Sequence, residues 1–214
     1  RGARMHEPYL DDEGTRGFLM LDPARVAAAS RVALDGGWSM CVHAIGDEAI
    51  DLLLDAWEPL LRGRAPQDHR FMVEHCVVPS DTALARLARL GVILSVQPLH
   101  AVNVARWIEN RLGPARAAHA YAFRRLQEAG LALAFGSDVP VASPDPRLGI
   151  MAGITRTYTD AGGVPRVTLP AERLTLPDMI AGYTRAAAHA AFAEDQLGML
   201  RPGPWAQAGL IVCD

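Results

Sequence analysis

Lysine is missing from this chain: all 21 of its basic residues are arginine. Any role that requires a side-chain amine is therefore excluded from these residues. Cysteine is scarce and odd in number, with only Cys41, Cys76 and Cys213. That set cannot make a disulfide framework and fits a reducing, cytoplasmic setting better than a secreted one. No apolar run approaches the roughly 20 residues that span a bilayer, and the opening "RGARMHEPYLDDEG" has no signal-peptide h-region. Charge of one sign is also lacking: the formal net charge is −3, with 21% charged residues. Neither nucleic acid nor an anionic membrane is expected as a partner. There is no P-loop, no GxGxxG and no GxSxG, so nucleotide-binding and serine-hydrolase readings lack their motifs.

What is present is a strand–helix rhythm. With 214 residues, half of them hydrophobic, the chain can fill one sizeable core or part of a larger domain. "DPARVAAASRVALDGG" predicts a helix with Asp22 as N-cap, Pro23 at its first position and a glycine pair to stop it. A strand over 39–43 follows. The next predicted helix is capped by Asp47 and places Ile50, Leu53, Leu54 and Trp57 on one face.

Further strands are predicted over 71–75, 92–96 and 131–135. Between them lie a helix closing at Gly91 and another with Pro114 near its start and Gly130 at its end. The strands read as continuously apolar, the pattern of a parallel sheet covered on both faces. The stretch from Thr159 to Pro170 reads as a long loop, a candidate lid. A last helix, about 176–193, opens on a capping box of Thr175 and Asp178. The fold class is α/β.

The chemistry-bearing residues recur at one place in this rhythm. Consecutive strands end in His43, Glu74–His75, Gln97 and Gly136-Ser137-Asp138. In (β/α) barrels the working residues sit at the C-terminal ends of the strands. Two imidazoles and a carboxylate arriving at one rim make a plausible divalent-metal site, since zinc takes nitrogen and oxygen ligands. Each has a plainer reading alone: a strand-end histidine is usually structural, and "GSDVP" is also good turn chemistry. A Cys/His zinc site using Cys41 or Cys76 is disfavoured, because His75 and Cys76 should point to opposite faces of a strand. His100 lies just past a strand end, where it could meet substrate or stand in an exposed loop; His6, His69, His119 and His189 read as structural.

Four segments together, "VHAIGDEAIDLLLDAWE", "EHCVVPSDTALARLARLGVILSVQPLHA", "RLGPARAAHAYAFRRLQEAGLALAFGSDVPV" and "LTLPDMIAGYTRAAAHAAFAEDQLGMLRPG", resemble the YtcJ-like branch of the amidohydrolase superfamily. The resemblance runs over nearly the whole chain, in order. It implies a metal-dependent hydrolase of carbon–nitrogen bonds, often amides or formamides, in a distorted TIM barrel flanked by a small β-sandwich. It also implies that His43, His75 and Asp138 are metal ligands after barrel strands five, six and eight, with Asp138 as general base. His100 and Gln97 become substrate-binding candidates.

The family's His-x-His pair after strand one does not occur here, nor does the carboxylated lysine that many relatives use. Ala208-Gly209 stands where relatives carry Ala-Asp before a returning strand, here "LIVCD". The expectation is thus the C-terminal half of a (β/α)8 barrel, strands five to eight, over residues 1–200, with the start of a β-sandwich return strand over 201–214. Zinc, as one or two ions in a full-length protein, is the expected cofactor, and a small molecule the substrate. A non-catalytic scaffold and a deaminase of the same superfamily are the alternatives. Four strands with open edges lead to an expectation of homo-oligomerisation or pairing with a missing half.

Overall fold

A computed structural model describes residues 1–65, 69–203 and 205. Four short strands carry the architecture: β1 (Cys41–Ala44), β2 (Met72–His75), β3 (Ile93–Val96) and β4 (Leu133–Phe135). They form one sheet in sequence order, and every neighbouring pair is parallel. All four predicted strands are thus present, in the expected orientation. Parallel neighbours need a crossover, and helices supply it. α1 (Pro23–Asp35) precedes the sheet. α2 (Asp47–Leu61), α3 (Asp81–Leu90), and the run of α4 (Pro98–Asn103), α5 (Ala105–Ala117) and α6 (Phe123–Glu128) connect the strands. α7 (Pro146–Thr155) follows β4.

Register decides which side chains meet the helices. Val42 pairs with Val73, Val73 with Leu94, and Leu94 with Leu133, so these four share one face. That face packs against Ile50, Leu54, Trp57, Leu87 and Leu126 in the main core. Fully burying one such side chain is worth about 1.5–3 kcal/mol, and this stripe therefore holds the layer together. Trp57 shows how polar atoms are accommodated there: its indole nitrogen donates to Ser30 Oγ at 2.9 Å, joining α2 to α1. The other sheet face carries Cys41, His43, Met72, Glu74, Ile93, Ser95 and Ala134. Met72, Ile93 and Ala134 form a second, smaller apolar cluster there with Ala190, so both faces are covered in part and the polar residues are His43, Glu74 and Ser95.

Local signals explain most helix ends. Asp22 caps α1 by accepting from Ala24 N, Ser80 caps α3 through Ala83 N, and Gly91 ends α3 with φ 66°. The predicted capping box is formed, Thr175 accepting from Asp178 N and Asp178 from Thr175 N. Several expectations need correction. Gly46, with extended backbone (φ −82°, ψ 155°), and not Asp47, is the N-cap of α2, and glycine is needed there since a Cβ would lie 2.0 Å from the Arg4 carbonyl oxygen. Asp47 sits one residue inside and accepts from the backbone nitrogens of His6 and Glu48.

The helix predicted up to Gly130 is broken. Non-helical Gly113 (φ 77°, ψ 161°) stands at the expected start, just before Pro114; the break is at left-handed Tyr121, which separates α5 from α6 and donates its N–H to Val77 O. The expected loop from Thr159 begins inside an antiparallel hairpin of β5 (Thr157–Thr159) and β6 (Pro165–Val167). Asp160 makes its turn by accepting from Gly162 N and Val164 N. The final helix runs as α8 (Leu176–Ala181), a π-helical turn (Gly182–Ala186) and α9 (Ala187–Ala190). Glycine is required at 182, where a Cβ would lie 2.3 Å from the Phe135 ring. The expected return strand lies almost entirely outside the described residues. No helix among the described residues is long and apolar enough to cross a membrane.

One long-range clamp fixes this helical end to the sheet. Arg70, just before β2, donates to the His189 carbonyl at 2.6 Å and to both carboxylate oxygens of Glu194 at 2.8 and 2.5 Å, and its guanidinium lies 4.2 Å from the Phe192 ring centre. Those hydrogen bonds pull the Glu194 carboxyl down to about 2, from an ordinary 4.5. A depressed carboxylate stabilises the fold fully above its ordinary value and ceases to do so as pH falls through its folded value. Glu194→Gln should therefore lower the urea midpoint at neutral pH. The gap to the unsubstituted chain should close progressively between about pH 4.5 and about 2. A gap independent of pH would show that the charge of Glu194 is not what the clamp uses.

Candidate metal centre

The C-terminal rim of the sheet gathers the polar residues. His43, in β1, pairs in register with Glu74, and Glu74 with Ser95, so these three side chains share the sheet face opposite that of Val42, Val73 and Leu94. His75 pairs instead with Ala44, which regular alternation would turn towards the helices. The backbone intervenes: His75 has φ 74° and the next residue, Cys76, φ 46°. Left-handed geometry costs a non-glycine residue about 1–2 kcal/mol, and such outliers cluster at functional sites. The strand end twists so that the His75 ring meets that of His43 edge to face, centroids 4.5 Å apart. Asp138 is a third left-handed residue of this rim, at φ 57°.

His100 joins them through a helix rather than a loop. Gln97 is the N-cap of α4 and Pro98 its first residue, so the helix starts where β3 stops. One turn later His100 stacks near His75, with ring centroids 6.1 Å apart and planes 19° apart. His75, His100 and Asp138 each offer one donor atom, all within 4.8 Å of one another, which is close enough to hold one metal ion. The expected set of His43, His75 and Asp138 is thus brought to the same rim. The group of three that closes most tightly among the described residues has His100 in the place of His43, which stands at its side against His75. The signal for His100 was the "QPLH" start of a helix at a strand end.

The electrostatics favour neutral imidazoles. Burial lowers the pKa of His43 and of His100, and the neighbouring His75 lowers both further; Asp138 and Glu74 act in the opposite direction. His100 Nε2 is buried and has no hydrogen-bond partner, an orphan that a buried polar atom rarely tolerates without a ligand. Of the described thiols, neither Cys41 nor Cys76 is in the group of His75, His100 and Asp138. Burial pushes Cys76 up to about 12 within the helix-covered core, and Cys41, also pushed up to about 12, donates to Glu74.

Gln97, a candidate for touching substrate, is 1% exposed and engaged at both ends. Its Nε2 donates to Glu74 Oε1 and to the Ser95 carbonyl, and its Oε1 faces His75 Nδ1 at 2.7 Å. Glu74 collects further donors, from Ser95 Oγ at 3.1 Å and Cys41 Sγ at 3.5 Å. Behind the candidate ligands there is thus a closed set of hydrogen bonds.

A parallel sheet with histidines and an aspartate converging beyond its strand ends defines the class: an α/β fold built around a metal-binding rim. A sequence model described as the amidohydrolase family matches residues 1–208, and the chain belongs to that family. Among curated proteins it is 32% identical over 202 residues to Protein LONG AFTER FAR-RED 3 of Arabidopsis thaliana, covering 94% of this chain and 34% of that protein. It is also 32% identical over 205 residues to the putative amidohydrolase YtcJ of Bacillus subtilis (strain 168), with 95% and 38% covered. Among solved structures, an uncharacterized metal-dependent hydrolase from Pyrococcus horikoshii OT3 superposes with a TM-score of 0.84 at 31% identity, over 96% of this chain and 40% of that one. The chain therefore spans between a third and two fifths of the length of these relatives.

Titration of the metal-free chain by NMR tests the electrostatics directly. His43 and His100 should show midpoints below the ordinary 6.5. Asp138→Asn should lower both further, because its carboxylate stabilises the charged imidazoles. Midpoints that rise in the variant would place Asp138 elsewhere.

Proposed function

We propose that this chain supplies barrel strands five to eight of a metal-dependent hydrolase that cleaves a carbon–nitrogen bond, that of a non-peptide amide or formamide. The observation that carries the reading is the convergence of His75, His100 and Asp138 within 4.8 Å, with His43 beside them, beyond the ends of successive parallel strands. The amidohydrolase family match supports it. The formamide class is supported by 28% identity over 182 residues to the N-substituted formamide deformylase of Arthrobacter pascens, of which the chain covers 32%. Residues 1–200 are then the barrel half. The unpartnered outer edges of β1 and β4, among the described residues, fit a sheet that continues on both sides or self-associates. A small organic substrate in a cytoplasmic setting completes the reading.

The donor set fits a divalent ion, zinc first, since imidazole nitrogens and a carboxylate oxygen are its usual ligands. His75, His100 and Asp138, with His43 beside them, would contribute to one or two such ions, the remaining ligands coming from the rest of the full-length protein. When bound, the ion supplies Lewis acidity towards the scissile carbonyl and towards water. The protein's own part is positional and protolytic. Neutral imidazoles present lone pairs without first losing a proton. A carboxylate oxygen of Asp138 accepts the proton of the attacking water and returns it to the leaving nitrogen, the task of a general base that becomes a general acid.

In the full-length hydrolase, Asp138→Asn should lower turnover about 100- to 10,000-fold with the fold intact, the usual range for removing a general base. Turnover within a few-fold of the unsubstituted enzyme would assign the proton transfer elsewhere. These 214 residues alone should bind zinc weakly and show no amidase turnover, because the family's His-x-His pair is not among them. Metal analysis and activity of the purified chain beside the full-length protein decide this. Stoichiometric zinc with turnover in the chain alone would refute the shared-site reading.

A further inference from the structure

Gln97 is buried and Glu74 partly so; the two are bonded to each other, and Gln97 to His75. We propose that Glu74, acting through Gln97, sets the tautomer of His75, so that its Nε2 always carries a lone pair towards the rim; both are positioning residues. The inference rests on the reading of His75 as a metal ligand. Its logic follows from donor and acceptor inventories. A carboxylate only accepts, and Glu74 is surrounded by donors: Ser95 Oγ at 3.1 Å, Cys41 Sγ at 3.5 Å and the Gln97 amide.

Gln97 must therefore turn its NH2 towards Glu74, where the bond is charge-assisted. Its second N–H reaches the Ser95 carbonyl at 3.3 Å. The amide oxygen is left facing His75 Nδ1 at 2.7 Å. An oxygen can only accept, so Nδ1 must hold the ring proton, and in a neutral imidazole Nε2 is then the nitrogen with the lone pair. The reverse orientation would set amide oxygen against carboxylate oxygen and put a proton on the nitrogen that faces the rim. With Gln97 1% exposed, water cannot relieve that conflict. A charge at Glu74 thus fixes a hydrogen position two side chains away.

The test uses the metal-free chain with nitrogen-15 histidine, at a pH where the rings are neutral, and reads the tautomer from two-bond proton–nitrogen correlations. The His75 signals are identified by their loss in His75→Gln. In the unsubstituted chain His75 should carry its proton on Nδ1. Gln97→Met removes the acceptor without changing the length of the side chain, and should yield a mixture with a substantial share of the Nε2–H form. Glu74→Gln with Gln97 intact frees the amide to turn either way and should also yield a mixture; adding Gln97→Glu supplies an obligatory acceptor and should restore the Nδ1–H form, whereas a pure Nδ1–H form in Glu74→Gln alone would overturn the role of Glu74. An Nε2–H ring in the unsubstituted chain would overturn the proposal. So would a Gln97→Met variant that keeps the pure Nδ1–H form. The swapped pair guards against a fold defect being mistaken for the effect, since a merely structural role predicts no rescue. The tautomer is read without metal, so a full-length protein that bound none would sink the hydrolase reading and leave this relay standing.

Discussion

The in-register parallel pairing of four short strands is the constraint on which the molecule depends. Each strand is only three or four residues long, so a slip of one residue would turn every side chain to the opposite face. The apolar residues at Val42, Val73, Leu94 and Leu133 prevent that slip, because they must all lie under the helices together. The same register then aligns His43, Glu74 and Ser95 on the other face. The hydrophobic core and the polar rim are two results of one alignment, and core packing is what brings the rim residues to a common level.

The rim also shows how polar groups are tolerated inside such a fold. Gln97, Glu74, Ser95 and Cys41 satisfy one another, and His75 closes the set. Buried polar networks of this kind are stable when complete and costly when a member is missing. Against that background His100 Nε2 stands out as a buried ring nitrogen without a partner. The positioning residues are hydrogen-bonded among themselves, and the unpartnered nitrogen belongs to one of the three residues that could hold an ion.

The order of strands and the rim position of His43, His75 and Asp138 were legible in the sequence, because apolar runs ending on ligand-type residues repeat with the period of a βα unit. The convergence itself was not. Alternation assigns His75 to the face of Ala44, and only the left-handed backbone at His75 brings its ring against His43; nothing in "FMVEHC" announces a positive φ on a histidine. His100 was seen, but left between substrate contact and exposed loop, because its position depends on α4 starting at Pro98 without an intervening loop. The break at Tyr121 was missed because no glycine or proline in "HAYAF" marks it, and a tertiary hydrogen bond, Tyr121 N to Val77 O, goes with it. The hairpin after α7 was read as a loop because a Gly/Pro-containing stretch fits either.

The π-helical turn at Gly182–Ala186 has a consequence for the kinds of mutation this end of the chain can absorb. A π turn accommodates one residue more than the α-helix on either side of it, and an α-helix advances about 100° per residue. Taking out a single residue there would return the segment to regular α geometry and leave α9 nearly in phase, so that the His189 carbonyl still meets Arg70. In a regular stretch, with no surplus residue to give up, the same deletion would rotate everything beyond it by that angle. The π turn thus marks where this end of the chain can lose a residue and keep its clamp, provided the space beside Phe135 is respected.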